Sequence, residues 1–393
     1  MTPTRFLVAQ AANADWQAAL NDCVARLKSA LAERRAGGEV ADYTLGWCYL
    51  TDQLAGEAEN IVHGLNRRLP SLTWVGTVGL GVIAGDTARF DEPALALMIA
   101  PLPAHAFHLF SGRQPLHPGV GGFHPHTALV HADGGTPDLQ ELLQELAART
   151  ASGHLFGGLS AARNRTLQIA GGVLSGGLSG VAFDERVGIV SRVTQGCQPV
   201  GPLRTITHAE DNYVIALDGQ PALACALQDL GLEHDLPLDL TAHALAGTLV
   251  GLCTDTEDLA LAPGLFGPDT RVRHIIGLDP QHQVLAVADE VAPGMQLAFC
   301  RRDAQAALAD LTRIAAEIRA ELASTGRQAA GAVYVSCTGR GGRHFGSPHA
   351  EARAIREELG ADLALVGFHA AGEIARDRLY GYTGVLTVFT APA

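Results

Sequence analysis

The sequence has no run of basic residues, and only 18% of its 393 residues are charged. Its formal net charge is −13, so the electrostatic attraction that drives nucleic-acid binding is missing. No stretch approaches the about eighteen uninterrupted apolar residues of a membrane span, and no basic segment leads an apolar one at the N-terminus. We therefore expect a cytoplasmic protein that neither binds nucleic acid nor inserts into a membrane.

The seven cysteines are scattered, and none forms a Cys-x-x-Cys pair. This spacing predicts neither a disulfide framework nor a structural zinc site. His124-Pro125-His126 and the pair His105 and His108 have ligand-like spacing, but no acidic or cysteine residues cluster with them. We read these as loop histidines and expect no metal site. With 47% apolar residues, the chain can bury enough surface for two domains.

A helix–strand–helix–strand unit occurs twice in the pattern of apolar residues, within residues 15–80 and again within 303–370. The predicted helices are 16–35, 57–69, 303–323 and 348–359, and the predicted strands are 44–50, 72–79, 332–336 and 363–367. Val75-Gly76 aligns with Val366-Gly367. Residues 127–158 form a third copy that has only the last three elements. This pattern predicts an internal duplication.

Short β-rich segments with turn signals separate these copies and predict hairpins. Strand–helix–strand units mixed with hairpins favour an α/β to α+β fold with two similar lobes, in which helices cover mixed sheets. Prolines and glycines interrupt the pattern near Gln198–Pro202. We therefore place a domain boundary there and predict domains 1–200 and 201–393.

The loop Gly339–Gly346 carries the strongest functional signal. It follows an apolar, β-branched strand, and Ser347-Pro348 is predicted to begin the next helix as its N-cap and first residue. Successive glycines expose backbone N–H groups, and Arg340 and Arg343 suit a carboxylate or phosphate. The alternative is a tight turn whose arginines are solvated or paired with Glu373.

Several separated motifs resemble the FIST-domain family. They are Cys337-Thr338-Gly339-Arg340-Gly341, Gly367–Ile374, Tyr380-Gly381-Tyr382-Thr383, Gly196–Pro202 and Ile215–Leu223. The resemblance covers almost the whole chain, and it implies an N-terminal and a C-terminal FIST module. It also implies a stand-alone bacterial sensory protein for a small ligand, with amino acids proposed. Some members of the family are haem-binding nitric oxide sensors.

Glu373 follows a strand that should end beside the glycine loop, because ligands in α/β sheets bind where strands end in loops. A carboxylate opposite arginines would suit the ammonium group of an amino acid. The predicted ligand-binding residues are Cys337, Gly339, Arg340, Gly341, Gly342, Arg343, His344, His369 and Glu373. We predict a small anionic or zwitterionic ligand for this site.

An enzyme is the alternative from another class. Cys337 ends a strand before a cationic loop, a position at which the pKa of a thiol is lowered, and His344 or His369 would serve as its base. Cysteine is also common in buried strands, so we assign no catalytic residue and expect no enzyme.

The cofactor is unknown from the sequence, and a haem-binding nitric oxide sensor is the alternative within the sensory class. Cys-x-x-Cys-His is absent, and no axial ligand stands out among sixteen histidines. No kinase, cyclase or methyl-accepting segment is recognisable. We therefore expect the output to pass through a separate signalling protein, such as a histidine kinase.

Overall fold

The computed structural model describes residues 5–233, 237–253, 270–342 and 344–392. The chain forms two compact units, of which the first contains residues 1–194 and 308–393 and the second contains 195–307. The second unit is thus an insertion in the sequence of the first. These units follow packing, whereas the predicted boundary at residue 200 divides sequence modules. That boundary stays a prediction.

The helices and strands of the first unit form three repeats of similar order, of which the second lacks the first helix. Repeat 1 contains β1 (Leu7–Ala12), α1 (Trp16–Ala36), β2 (Leu45–Thr51), α2 (Ala58–Arg68), β3 (Thr73–Gly79), β4 (Gly81–Ala84), β5 (Thr87–Phe90) and β6 (Ala94–Ala100). Repeat 2 contains β7 (Phe107–Ser111), β8 (Thr127–Ala132), α3 (Leu139–Ala148), β9 (His154–Leu159), β10 (Gln168–Ala170), β11 (Val173–Leu174) and β12 (Leu178–Phe183). Repeat 3 begins with β13 (Ile189–Thr194).

The second unit then supplies its own elements before repeat 3 resumes. They are β14 (Cys197–Pro199), β15 (Arg204–Glu210), β16 (Tyr213–Leu217), β17 (Gln220–Pro221), α4 (Ala222–Asp229), α5 (Leu238–Ala246), β18 (Leu249–Cys253), β19 (Arg271–Asp279), β20 (Val284–Val287) and β21 (Gln296–Arg302). Repeat 3 continues with α6 (Ala304–Ser324), β22 (Arg327–Cys337), α7 (Ala350–Leu359), β23 (Leu365–Ala370), β24 (Glu373–Arg376), β25 (Arg378–Tyr380) and β26 (Gly384–Pro392).

Local sequence explains these elements. The side chain of Asp15 accepts the backbone N–H of Gln17 and so caps α1, which buries Leu20, Val24 and Leu27 on one face. All seven residues of β2 are buried, because this strand has a packed core on both faces. The predicted element order is confirmed, with small shifts at the ends.

Each repeat anchors one six-stranded sheet with the same arrangement. The strand orders are β1-β6-β2-β3-β10-β11, β7-β12-β8-β9-β24-β25 and β13-β26-β22-β23-β4-β5. The central pairs β2–β3, β8–β9 and β22–β23 are parallel, and a helix connects the two strands of each pair. The remaining pairs are antiparallel, so the sheets are mixed. The fold is α+β, and the duplicated helix–strand–helix–strand unit is confirmed in α1-β2-α2-β3 and α6-β22-α7-β23.

The hairpins are exchanged between repeats. The hairpin β4–β5 of repeat 1 joins the sheet of repeat 3, β10–β11 joins the sheet of repeat 1, and β24–β25 joins the sheet of repeat 2. The exchange therefore closes a ring of three. Because each sheet borrows two strands from another repeat, we infer that the three repeats fold as one unit.

Three glycines hold equivalent positions in the parallel pairs. A Cβ atom would lie only 1.8–1.9 Å from the carbonyl oxygen of the facing residue, for Gly76 facing Cys48, Gly157 facing Val130 and Gly367 facing Tyr334. No other residue fits such a close approach of two strands. The predicted alignment of Gly76 with Gly367 is confirmed.

An Ile-Ala pair marks the exchanged hairpins. The three glycines above pair across the sheets with Ile169, Ile374 and Ile83, each of which precedes an alanine. The next residue has a positive φ in all three hairpins, at Gly85, Gly171 and Arg376. Our sequence analysis missed this signature, which repeats as Ile-Ala-Gly, Ile-Ala-Gly and Ile-Ala-Arg.

The three sheets share an inner core, and helices cover their other faces. Inner-facing residues such as Trp47, Phe156 and Val335 belong to one apolar cluster. Helices α1 and α2 pack on the sheet of repeat 1, α3 packs on that of repeat 2, and α6 and α7 pack on that of repeat 3.

The second unit is a closed antiparallel barrel. Six of its eight described strands pair in the ring β21-β15-β16-β20-β19-β18, and β18 pairs with β21 to close the ring. Residues of α4 complete the apolar core of the barrel, which includes Leu223 and Phe299. Barrel closure leaves no unpaired edge strand within that ring.

Candidate functional site

The C-terminal ends of β22 and β23 bring polar residues together in repeat 3. Because the strands are parallel and in register, Ser336 pairs with His369, one residue before Cys337. Arg340 follows β22 in a short 3-10 turn, and Glu373 begins β24. We call Ser336, Cys337, Arg340, Glu351, His369 and Glu373 the buried cluster, since each is at most 7% exposed.

Arg340 is held by a carboxylate that the sequence analysis did not assign to the site. Its Nε and Nη2 atoms lie 3.1 and 3.0 Å from Oε1 of Glu351 in the first turn of α7. Glu351 also accepts hydrogen bonds from the hydroxyls of Tyr334 (2.6 Å) and Ser336 (2.8 Å). Arg340 is only 1% exposed, so it is not the solvated arginine of the tight-turn alternative. That alternative also paired the arginine with Glu373, whereas its ion-pair partner in the structure is Glu351.

Glu373 is a buried carboxyl group that accepts hydrogen bonds at one oxygen. Its Oε2 accepts from the backbone N–H (3.1 Å) and the hydroxyl (2.7 Å) of Thr383. Burial raises the pKa of Glu373 to about 8, although the Thr383 hydrogen bonds and nearby Arg340 act to lower it. The group therefore carries a proton at neutral pH. It can donate as well as accept.

His369 is a neutral imidazole in an apolar contact. Burial lowers its pKa to about 4, and its ring lies 4.1 Å from that of Phe90, centroid to centroid. Within the described residues, neither ring nitrogen meets the geometric criteria for a hydrogen bond, although an interaction with the backbone of Cys337 acts to raise the pKa of the ring. Glu373 Oε1 and Arg340 Nη1 also have no hydrogen-bond partner there. Three neighbouring side chains thus have unused hydrogen-bonding capacity away from solvent.

Cys337 does not have the environment of an activated thiol. It is 7% exposed, and burial and the nearby Glu373 raise its pKa to about 12. The expectation that the following cationic loop lowers the pKa of this thiol is wrong, because desolvation outweighs the effect of Arg340. The thiol therefore stays protonated at neutral pH.

Aromatic rings adjoin the glycine loop and the buried cluster. A Cβ atom on Gly339 would lie 3.0 Å from the ring of Tyr382, and one on Gly341 would lie 3.0 Å from the ring of Phe90. The guanidinium carbon of Arg340 lies 5.5 Å from the ring centroid of Phe345. These glycines therefore allow close packing of rings.

Some backbone N–H groups of the loop Gly339–Gly346 donate to carbonyl groups close to them in the sequence. The N–H of Gly341 donates to the carbonyl of Thr338 (3.0 Å), and the N–H of His344 donates to that of Gly341 (2.8 Å). His344 is half-buried, and its ring meets the ring of Phe345 edge-on at 4.8 Å. The loop is thus a series of turns, and these two N–H groups are already engaged.

The remaining predicted loop residues have mixed outcomes. Arg343 lies outside the described residues. Gly342 packs on Pro348, where a Cβ atom would come within 2.9 Å. Helix α7 begins at Ala350, so the predicted start at Ser347-Pro348 is wrong. Both residues lie in the bend and turn that precede the helix.

Sequence reasoning missed several members of the site, although some left a signal. Glu351 lies four residues before Ile355, so helical spacing places this acidic residue on the apolar face of α7. Thr383 belongs to a quoted family motif but was not assigned to the site. Phe90 gave no signal, because only the exchanged hairpin β4–β5 brings it to His369.

The fold and the cluster define an α+β protein of three exchanged repeats with one buried polar site. Family models agree with this class over most of the chain: the FIST N domain matches residues 44–220, and the FIST C domain matches residues 222–376. The chain therefore belongs to the FIST family. FIST domains are associated with sensing in signal transduction.

Mycobacterial relatives match nearly the full length of the chain. The uncharacterised protein Rv0628c of Mycobacterium tuberculosis is 31% identical over 373 residues, which cover 91% of this chain and 93% of the relative. The uncharacterised protein Mb0898c of Mycobacterium bovis is 32% identical over 370 residues, covering 86% and 92%. In the parts of the chain that the structure describes, no helix combines the length and apolarity needed to cross a membrane.

The surroundings of His369 do not fit an axial haem ligand. The imidazole is 2% exposed and packs against Phe90, so no open face is left for a macrocycle. We derive no chemistry through a haem at this residue.

Proposed function

We propose that the protein is a cytoplasmic sensory input protein that binds a small zwitterionic or anionic molecule, such as an amino acid, at the buried cluster. One observation supports this proposal: Arg340, His369 and Glu373 are buried close enough to one another to interact electrostatically, and each has an unused donor or acceptor. A buried polar group without a partner costs about 1–3 kcal/mol. A ligand that supplies the missing partners recovers this free energy.

The charges of the cluster suit a zwitterion. Arg340 keeps its position through its Nε and Nη2 contacts with Glu351, which leaves Nη1 to donate to a ligand carboxylate. Glu373 is protonated without ligand, but a nearby ammonium group favours its ionised form. An amino acid would therefore bind with release of the Glu373 proton. A simple anion would release none.

Movement of the aromatic rings could couple ligand binding to a signal. Phe90, Phe345 and Tyr382 are half-buried beside the cluster, and on this proposal a ligand displaces at least one of them on entry. The loop Gly339–Gly346 would then change conformation with occupancy. A separate signalling protein, such as a histidine kinase, would read this change.

Calorimetry tests the site and the ligand class together. The purified chain is titrated with amino acids and with small carboxylates at pH 7, in buffers of different ionisation enthalpy. We expect saturable binding of an amino acid with proton release. Glu373→Gln should weaken this binding by about ten- to a hundredfold, since a hydrogen bond to a charged group contributes about 1.5–3 kcal/mol.

Glu59→Gln is the matched control, because Glu59 lies exposed in the first turn of α2, outside the cluster. It should bind like the unmodified protein. Undiminished affinity in Glu373→Gln would contradict the proposal. An intense Soret band in the absorption spectrum of the purified protein would instead favour the haem-sensor alternative.

A further inference from the structure

A groove in repeats 2 and 3 lies apart from the buried cluster. It encloses about 220 Å³ between the beginnings of β8 and β9 and the strand β13. Its polar lining consists of His126, Thr127, Ser152, His154, Ser191, Arg192 and Glu321. We call it the β13 groove.

His154 has a fixed backbone and an unused ring nitrogen. Its N–H donates to the hydroxyl of Ser152 (3.1 Å), and its carbonyl accepts from the hydroxyl of Thr127 (2.6 Å). Its Nε2 is buried and has no hydrogen-bond partner among the described residues. Buried polar atoms normally have a partner, so this atom calls for a ligand or a bound water.

The fold itself does not require an imidazole at this position. His154 stands three residues before Gly157, and the equivalent residues of repeats 1 and 3 are Thr73 and Ala364. Neither Thr73 nor Ala364 has an ionisable side chain. The histidine is therefore a feature of repeat 2 and not of the shared backbone.

Positive charge surrounds the unused nitrogen. Arg192 donates to the Ser191 carbonyl (2.9 Å) and to Glu321 (2.6 Å), which takes two of the five N–H donors of a guanidinium. Burial lowers the pKa of His154 to about 4, and the charges of Arg376 and Arg192 lower it further. Both arginines therefore lie close enough to His154 to act on its ring.

We propose that the β13 groove is a second ligand site, which binds a small oxyanion, a carboxylate or a phosphate, through Arg192 and the Nε2 of His154. The imidazole Nε2–H donates to the anion, and the guanidinium supplies its remaining donors. Glu321 keeps Arg192 in position. The site is independent of the ligand proposed for the buried cluster.

Titration with defined anions tests this site. The full chain is titrated with inorganic phosphate and separately with succinate, at constant ionic strength, and the His154 ring is followed by NMR. We expect saturable binding with a shift of the His154 Nε2 signal. Arg192→Met and His154→Phe should each weaken binding by about tenfold or more, whereas Lys28→Met, which removes one exposed charge from α1, should not.

The outcomes separate the two sources of anion and the two sites. Tighter phosphate binding identifies a phosphate-bearing ligand, and tighter succinate binding identifies a carboxylate. Absence of saturable binding of either anion would overturn the proposal, as would unchanged affinity in Arg192→Met, whose side chain is 39% exposed and whose loss should leave the fold intact. Glu373→Gln should bind these anions normally, so failure of one site does not imply failure of the other.

Discussion

Repeats 1 and 3 share one backbone arrangement but differ in chemistry at equivalent buried positions. Counted from the facing glycines, the equivalent pairs are Leu50 and Ser336, Thr51 and Cys337, Val78 and His369, and Val82 and Glu373. All eight side chains are buried. At these positions repeat 3 carries a thiol, an imidazole and a carboxyl group, whereas repeat 1 has mainly apolar side chains.

This difference separates what the fold needs from what the site needs. The apolar set of repeat 1 shows that the parallel pair and its helix pack well without buried ionisable groups. Desolvating such groups costs free energy unless they are paired. We infer that repeat 3 gives up stability for ligand recognition, as functional sites commonly do. Four measurements test this comparison.

The largest effect is expected at the ion pair of repeat 3. Glu351→Gln leaves the charge of Arg340 buried without its main partner, and we expect a loss of about 3–5 kcal/mol in the free energy of unfolding. Urea denaturation followed by circular dichroism measures it. Replacing both partners, as Arg340→Met with Glu351→Leu, should recover most of the loss, because no unpaired charge remains.

The matched change in repeat 1 is Glu59→Gln, in the exposed first turn of α2. Its effect should stay within about 0.5 kcal/mol, as for other surface substitutions. Equal losses in Glu351→Gln and Glu59→Gln would show that the Arg340 pair contributes no special stability.

Exchanging residues between the repeats should destabilise repeat 1 more than repeat 3. Val78→His introduces an unpaired polar ring into the apolar core of repeat 1, and we expect a loss of about 2–3 kcal/mol. His369→Leu removes such a ring from repeat 3 at similar volume, so its cost should stay below about 1.5 kcal/mol. Thermal unfolding of both variants at pH 7 makes the comparison. A greater loss in His369→Leu than in Val78→His would sink the inference that the imidazole serves binding more than stability.

The pH dependence of stability should report Glu373, for which repeat 1 has Val82. The folded pKa of about 8 lies above the ordinary value of 4.5, so the stabilising contribution is full below pH 4.5 and is lost as pH rises through 8. Between pH 6.5 and 8 the titration of Glu373 should lower the free energy of unfolding by about 1–2 kcal/mol. Glu373→Gln removes the titration, so its stability should fall less over the same interval.

Three histidines titrate in the same interval. The pKa values of His131, His154 and His369 are lowered by burial from 6.5 to about 3, 4 and 4, so their stabilising contribution is full only well above pH 6.5 and is lost as pH falls through 6.5. Because these histidines are the same in Glu373→Gln, the difference between the two proteins in urea denaturation at pH 6.5 and 8 isolates Glu373. Parallel curves for Glu373→Gln and the unmodified protein would contradict the buried, protonated carboxyl group.

The smallest contrast is expected between two thiols. Cys337 of repeat 3 and Cys48 of repeat 1 are both buried, and burial raises the pKa of each. Iodoacetamide at neutral pH should therefore label both slowly in the folded protein, with similar rates by mass spectrometry. Preferential labelling of Cys337 would revive the enzyme alternative.

Local pattern in the sequence was sufficient for the helices and strands of the repeated unit and for the internal duplication. Helical spacing of Leu20, Val24 and Leu27 predicts α1, and Val75-Gly76 and Val366-Gly367 identify equivalent strands. These signals act over a few residues, so they survive without knowledge of the rest of the chain. The third copy, β8-α3-β9, was found in the same way.

Only the tertiary structure decided which distant segments meet and how the site titrates. Strand pairing between Gly367 and Ile83 brings Phe90 to His369, and no local pattern encodes that exchange of hairpins. The neighbours of Cys337 along the chain supported a reactive thiol only as an alternative to a buried one. In the folded protein desolvation dominates, because burial is a property of all surrounding elements and not of the flanking residues.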